Sequence, residues 1–133
     1  MKIMIDTNIL VAALVFKSDF LAKLIQKIID NHKLIICSYV IDELYSVVRR
    51  KNPDKEQALI NVINKLKFEC IKSPDEIDEK DRLFKIRDEK DYIILHTAII
   101  ENVDIFITND KDFSDIDIKR PKIMKPEEFD KEY

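Results

Sequence analysis

Short apolar runs alternate along the chain with longer amphipathic stretches, and each run breaks off at a polar cluster. Lys2-Ile3-Met4-Ile5 stops abruptly at Asp6-Thr7-Asn8, which predicts a first strand feeding a helix over the apolar stretch Ile9 to Phe16. Ser18-Asp19 offers a second helix start, and Leu21, Leu24, Ile25, Ile28 and Ile29 follow at helical spacing. Lys33 to Cys37 reads as the next strand, with Ser38 as N-cap of a helix running to about Lys51. Asn52-Pro53 supplies a cap and a first-turn proline for a helix through about Lys67. Phe68 to Ile71 is a third short strand, about Asp78 to Arg87 a polar helix, and about Lys90 to Glu101 an apolar helix. Asp104 to Ile107 is a buried strand ending in Thr108-Asn109-Asp110, Lys122 to Met124 a last strand, and Pro126 opens a terminal helical turn.

Strands that alternate with helices predict an α/β fold, a central and mostly parallel sheet with helices on both faces. No repeat, low-complexity segment or long linker divides the chain, so residues 1–133 are expected to form one domain.

Composition narrows the chemistry. With 46% hydrophobic and 37% charged residues the chain is expected to fold around a core. No apolar run approaches the roughly 20 residues that span a bilayer, and Asp6 comes too early for a signal peptide, so the expected location is the cytoplasm. Cys37 and Cys70 lie in apolar stretches and match neither a disulfide framework nor a metal spacing, so both are read as buried packing residues. There is no glycine anywhere, which excludes the P-loop and the dinucleotide fingerprint together. A net charge of −3 argues against gripping nucleic acid by bulk charge, but not against meeting phosphate through bound cations.

Candidate chemistry sits where strands stop. Asp6 and Asp110 each follow an apolar run, and ligands of open α/β sheets bind outside the carboxyl ends of strands where the strand order reverses. Either acid alone is more simply a cap or turn residue; the pair changes the balance. Asp91 lines up with Ile94, Leu95 and Ala98, an acid on a buried stripe that needs a partner, although a first-turn Asp also suits the helix dipole. On the helix after Ser38, with Val40, Leu44, Val47 and Val48 inward, Glu43 borders the apolar face and Asp42 points to solvent. Two carboxylates about 4 Å apart repel by about 4 kcal/mol at an effective dielectric near 20. Four in one pocket therefore need protons or a cation, and an all-oxygen set suits Mg²⁺ or Mn²⁺. His32 and His96 are poorly placed for such a site and are read as structural.

Four segments, Ile5-Asp6-Thr7-Asn8-Ile9-Leu10, Ser38-Tyr39-Val40-Ile41-Asp42-Glu43-Leu44, Asp91 to Ala98 and Ile107 to Phe113, resemble the four motifs of PIN domains in order and at the usual spacing. The chain most resembles prokaryotic PIN proteins classed as toxin components of toxin–antitoxin pairs. The resemblance implies a metal-dependent endoribonuclease hydrolysing RNA phosphodiester bonds with Mg²⁺ or Mn²⁺. It implies Asp6, Asp91 and Asp110 as main metal ligands, with Glu43 helping to hold metal or position water. Thr7, Asn8, Thr108 and Asn109 would support the site or touch substrate, and Asp112 would be a peripheral acid. Asn109 departs from the glycine or arginine frequent at its position. An RNA substrate, a homodimer and a small antitoxin partner are implied in the same way.

Positive charge for RNA is sparse. Arg49-Arg50-Lys51 closes one helix, where complementing the helix dipole is an equal explanation, and Lys111, Lys119, Arg120 and Lys122 follow the last acid motif. No stacked-aromatic pattern of base-reading modules is present. A metal-dependent phosphatase competes as an enzyme, but its Asp-x-Asp signature fails at Asn8; a non-cleaving PIN-like interaction module is the alternative outside enzymology.

Overall fold

The computed structural model describes residues 1–133 as a five-stranded, wholly parallel sheet in the order β3-β2-β1-β4-β5. The strands are β1 (Lys2–Ile5), β2 (Lys33–Cys37), β3 (Glu69–Ile71), β4 (Ile105–Ile107) and β5 (Lys122–Met124). The helices are α1 (Thr7–Leu14), α2 (Asp19–Asn31), α3 (Ser38–Lys51), α4 (Glu56–Lys65), α5 (Glu89–Ile100) and α6 (Pro126–Glu132). The chain walks outward from β1 to β3, returns through α5 to the other side of β1, and walks outward again to β5. With right-handed crossovers this reversal puts α1 to α4 against one face and α5 against the other. The strand order therefore reverses between β1 and β4.

The central strands are apolar on both faces because both are covered. Ile3, Met4, Ile5 and Ile105, Phe106, Ile107 are all at most 2% exposed, a continuous apolar reading instead of alternation. Parallel pairing puts Ile3 beside Ile105 and Ile5 beside Ile107, so the residues just beyond, Asp6 and Thr108, leave the sheet side by side. Backbone bonds continue the register past the strand ends: Asp6 N–H donates to Ile107 O and Thr108 N–H to Met124 O, each at 3.0 Å.

Helix ends show how a chain without glycine turns. Ser18 caps α2 as expected, its Oγ accepting the Leu21 N–H at 3.4 Å. After α5 the chain reverses through Asn102 at φ 55°, with Asn102 N–H bonded to Ile99 O and Val103 N–H to Ala98 O. This is the Schellman closure, with asparagine serving where glycine is usual and buried Val103 sealing it. Lys17 makes the other left-handed turn, at φ 53°, between α1 and α2.

Several expectations are corrected. Asp78 to Arg87 is not a helix: only Glu79–Asp81 makes a single 3₁₀ turn. The segment is drawn instead onto α5, where Leu83 N–H donates to Tyr92 Oη at 2.8 Å, Phe84 stacks on the Tyr92 ring and Arg82 lies over it. A polar segment lacking its own apolar stripe gains more from these contacts than from a helix. Ser38 is not the cap of α3 but its first residue; Cys37 holds the cap position without a side-chain bond. Ser73, after β3, does that work from 35 residues away: its Oγ accepts the Tyr39 N–H, and its own N–H donates to Ser38 Oγ. Asn52 makes no side-chain cap either, and a 3₁₀ turn over Pro53–Lys55 precedes α4. Cys37 is buried, but Cys70 faces solvent, because β3 is an edge strand. His32 packs edge-on to Phe129 and Tyr133, and His96 Nδ1 lies 3.1 Å from Tyr92 Oη, both away from the acids that follow β1 and β4. No helix is long and apolar enough to cross a membrane.

Candidate active site

The site begins with Asp6, the N-cap of α1 and the residue that ends the central strand. It is 6% exposed. Its Oδ1 accepts the Thr7 N–H and its Oδ2 the Thr108 hydroxyl, both at 2.8 Å. Thr108 Oγ1 in turn accepts the Asp110 N–H at 3.0 Å, so one hydroxyl ties the ends of β1 and β4 together. Burial raises the Asp6 carboxyl above its ordinary range; the Thr108 and Thr7 bonds oppose this, and the charges of Asp110 and Glu43 add to it. Thr7 Oγ1 is buried against this centre without a hydrogen-bond partner.

Asp110 caps the 3₁₀ turn Lys111–Phe113, its Oδ1 accepting the Asp112 N–H at 2.9 Å. That short turn swings Asp112 back beside it. Asp91 enters from the first turn of α5, whose N-cap Asp88 accepts the Lys90 N–H. Carboxylate oxygens of Asp91, Asp110 and Asp112 all lie within 4.8 Å of one another. Burial first, then the charges of Asp110 and Asp6, push the Asp91 carboxyl up to about 7. One cation answers this cluster from within the chain: Arg87, 85% exposed, reaches Asp112 Oδ2 at 3.0 Å.

The four acids expected from sequence thus converge on one end of the sheet, but not as equals. Asp91 and Asp110 form the tight group, and its third member is Asp112, expected at the periphery. Asp6 stands beside the group, near enough for its charge to act on Asp91. Glu43 lies farther along α3, half-buried, where its charge acts on Asp6 and on the Tyr39 hydroxyl, which burial first and then Glu43, Asp88 and Asp91 raise. Asp42 is exposed, as the helical wheel required. Thr7 and Thr108 are buried at the centre, while Asn8 and Asn109 face solvent.

Sequence reasoning missed three neighbours. Arg87 is 25 residues from Asp112 and carries no local signal. Ser73 lies 35 residues from Ser38 in the chain and gives no local sign of the cap it supplies to α3. Tyr39 stood within a motif but had no assigned part. Arg120, grouped by sequence with the last acid motif, belongs elsewhere: it bonds Asn102 O and Asp104 at the opposite end of β4.

The donor set is oxygen only and crowded with like charge, and near neutrality burial and repulsion leave Asp91 only partly ionised unless a positive charge arrives. Such a set fits a hard divalent cation. Arg87 alone, exposed and bound through one oxygen, is a weak substitute.

Comparison with known proteins bears on the fold and the family. No curated protein matches the chain. Among solved structures, VapBC2 from Rickettsia felis, bound to a DNA fragment from its promoter, superposes with a TM-score of 0.71 at 24% identity. The match covers 94% of this chain and 98% of that one, so the two share a fold. The family described as PIN domain matches residues 3–119, nearly the full length, and the chain belongs to the PIN domain family.

Proposed function

We propose that this protein is a Mg²⁺- or Mn²⁺-dependent endoribonuclease that hydrolyses RNA phosphodiester bonds. The observation that carries the reading is the set of three carboxylates within 4.8 Å, beside a buried fourth, at the point where the strand order reverses. Asp91, Asp110 and Asp112 would hold the cation, with Asp6 completing the set and Glu43 positioned to hold metal or water. When bound, such a cation supplies an activated water and stabilises charge on the phosphate. The chain's own residues do the rest. Thr108 and the Thr7 N–H fix both oxygens of Asp6, so its orientation needs no adjustment on binding. Asp110 holds Asp112 through its backbone, and Arg87 holds the outer oxygen of Asp112 while remaining open to an incoming phosphate. Asp91 is the group whose proton must leave for the site to fill.

We further propose the role of toxin, restrained by a small antitoxin partner. The motif resemblance to toxin components supports this, and the shared fold with VapBC2 is consistent with it.

Cleavage of a mixed-sequence single-stranded RNA with Mn²⁺ or Mg²⁺ tests the reading, comparing the natural protein, Asp6→Asn and an EDTA control. Cleavage that needs metal and disappears in Asp6→Asn is expected. Metal binding with no cleavage across a range of RNAs would overturn it in favour of an interaction module.

A further inference from the structure

A cleft of about 620 Å³ opens directly beside Asp110, between the turn that follows β4 and the edge formed by β5 and α6. Thr108, Asn109 and Asp110 form one end of it, so the cleft and the acid cluster share a wall. Lys111, Lys119, Lys122 and Lys125 line the remainder, against a single further acid, Glu128. All four lysines are exposed. Lys122 reaches Glu132 only at 3.4 Å, and Lys111, Lys119 and Lys125 have no carboxylate within ion-pair distance. Half-buried Ile116, Ile118 and Ile123 and the buried Phe113 line the same cleft.

Unpaired lysines stand elsewhere on the surface as well, Lys23, Lys51 and Lys65 among them; what sets these four apart is that they line one cleft. Arg49, Arg82 and Arg120 are each held by a carboxylate at 2.6 Å or less, so their charge is spent within the chain. In a protein of net charge −3, uncommitted lysines gathered in one concave strip that begins at a candidate phosphodiester-cleaving group call for an anion of extended shape. Apolar side chains in the same cleft suit flat, weakly polar faces, which a double helix keeps stacked inside and a single strand offers.

We infer that this cleft is the path of the RNA strand on one side of the scissile phosphate: a single-stranded polynucleotide lies along it, its phosphates on Lys111, Lys119 and Lys125 and a base over the isoleucines. The inference rests on the nuclease reading of the acid cluster and adds where the substrate runs. Recognition by phosphate charge and apolar contact reads no particular sequence, so selectivity must come from RNA shape or from elsewhere on the protein.

The test measures binding of a fluorescein-labelled single-stranded RNA 12-mer by anisotropy, in full-length protein carrying Asp91→Asn so that the strand survives. Lys111→Gln/Lys119→Gln/Lys125→Gln is compared with Lys23→Gln/Lys51→Gln/Lys65→Gln, which removes equal charge from exposed, unpaired lysines elsewhere. The cleft variant is expected to lose roughly tenfold or more in affinity, with the slope of log K against log salt smaller by about 2. The remote variant should stay within about twofold. Equal losses in both variants would show attraction by bulk charge and overturn the inference. So would a natural protein that cleaves RNA while its cleft variant binds and cleaves as well, an outcome that leaves the nuclease reading standing. A protein that neither binds nor cleaves RNA, but captures an acidic peptide through these lysines, would remove both.

Discussion

Two aspartates at opposite ends of the same part of the sheet show how one residue type is put to contrary uses. Asp104 immediately precedes β4. Its carboxylate accepts the Lys2 N–H at 2.7 Å and pairs with Arg120, and these contacts, led by the Lys2 bond, hold it below its ordinary range. Asp91, across the sheet at the other end, is pushed up to about 7 by burial and by Asp110 and Asp6. At the first end Asp104 has its counter-charge in Arg120, and the acid stabilises the fold. At the second, acids crowd together with one exposed arginine for company, an arrangement that a proton on Asp91 or an added cation relieves. Stability and candidate function occupy opposite edges of one sheet, as expected where strand carboxyl ends carry the chemistry.

The largest effect should come from Asp91→Asn. It removes the acid on which burial and repulsion converge, so metal-dependent cleavage should vanish while the circular dichroism spectrum stays native. Retained cleavage would sink the assignment. Titration with Mg²⁺ sharpens the contrast: a ligand bound only by the folded state stabilises it by about 2.7 kcal/mol at a hundred times its Kd. The natural protein should therefore gain melting temperature with Mg²⁺, and Asp91→Asn should not.

pH separates the two ends next. Asp91 binds its proton more tightly folded than unfolded, so without metal its ionisation favours unfolding. Stability from this group is greatest at low pH and declines as pH rises from about 4 through about 7. Asp104 has the opposite sign, since its lowered value stabilises the fold above the ordinary aspartate range and that support fades on acidification. Melting curves of metal-free protein from pH 4 to 8 should show a decline toward neutrality that Asp91→Asn flattens. A curve unchanged by that substitution would break the comparison.

Asp104→Ala should cost about 1–2 kcal/mol at pH 7, the loss of a hydrogen bond to a charged acceptor and of an exposed ion pair. It should leave the Mg²⁺ response intact; a lost response would mean that the two ends are not separable. Asp42→Asn, on the solvent side of α3, should change stability by less than about 0.5 kcal/mol and cleavage not at all.

Much of this was legible before the fold was known. β1 and β4 could be read because strands covered on both faces are continuously apolar, and Asp6 and Asp110 because polarity breaks off each run. Glu43 and Asp42 could be told apart because a helix has one period whatever surrounds it. The segment Asp78 to Arg87 could not be read. Its charges suggested a solvated helix, whereas the Tyr92 hydroxyl, the ring of the same residue and Glu89 bind its Leu83 N–H, Phe84 and Arg82 in an irregular path. Asp112 looked peripheral because its place depends on the turn that Asp110 caps.

Periodicity and chain breaks are properties of neighbouring residues, and so the amino-acid sequence determined on its own the α/β class, the strand ends and which acids could face inward. Distances between acids from separate segments are set by sheet register and by bonds that span the chain. The Ile5–Ile107 pairing that brings Thr108 to Asp6, the Ser73 cap on α3, the Arg87 contact with Asp112 and the lysine-lined cleft beside Asp110 were therefore decided only by the tertiary structure.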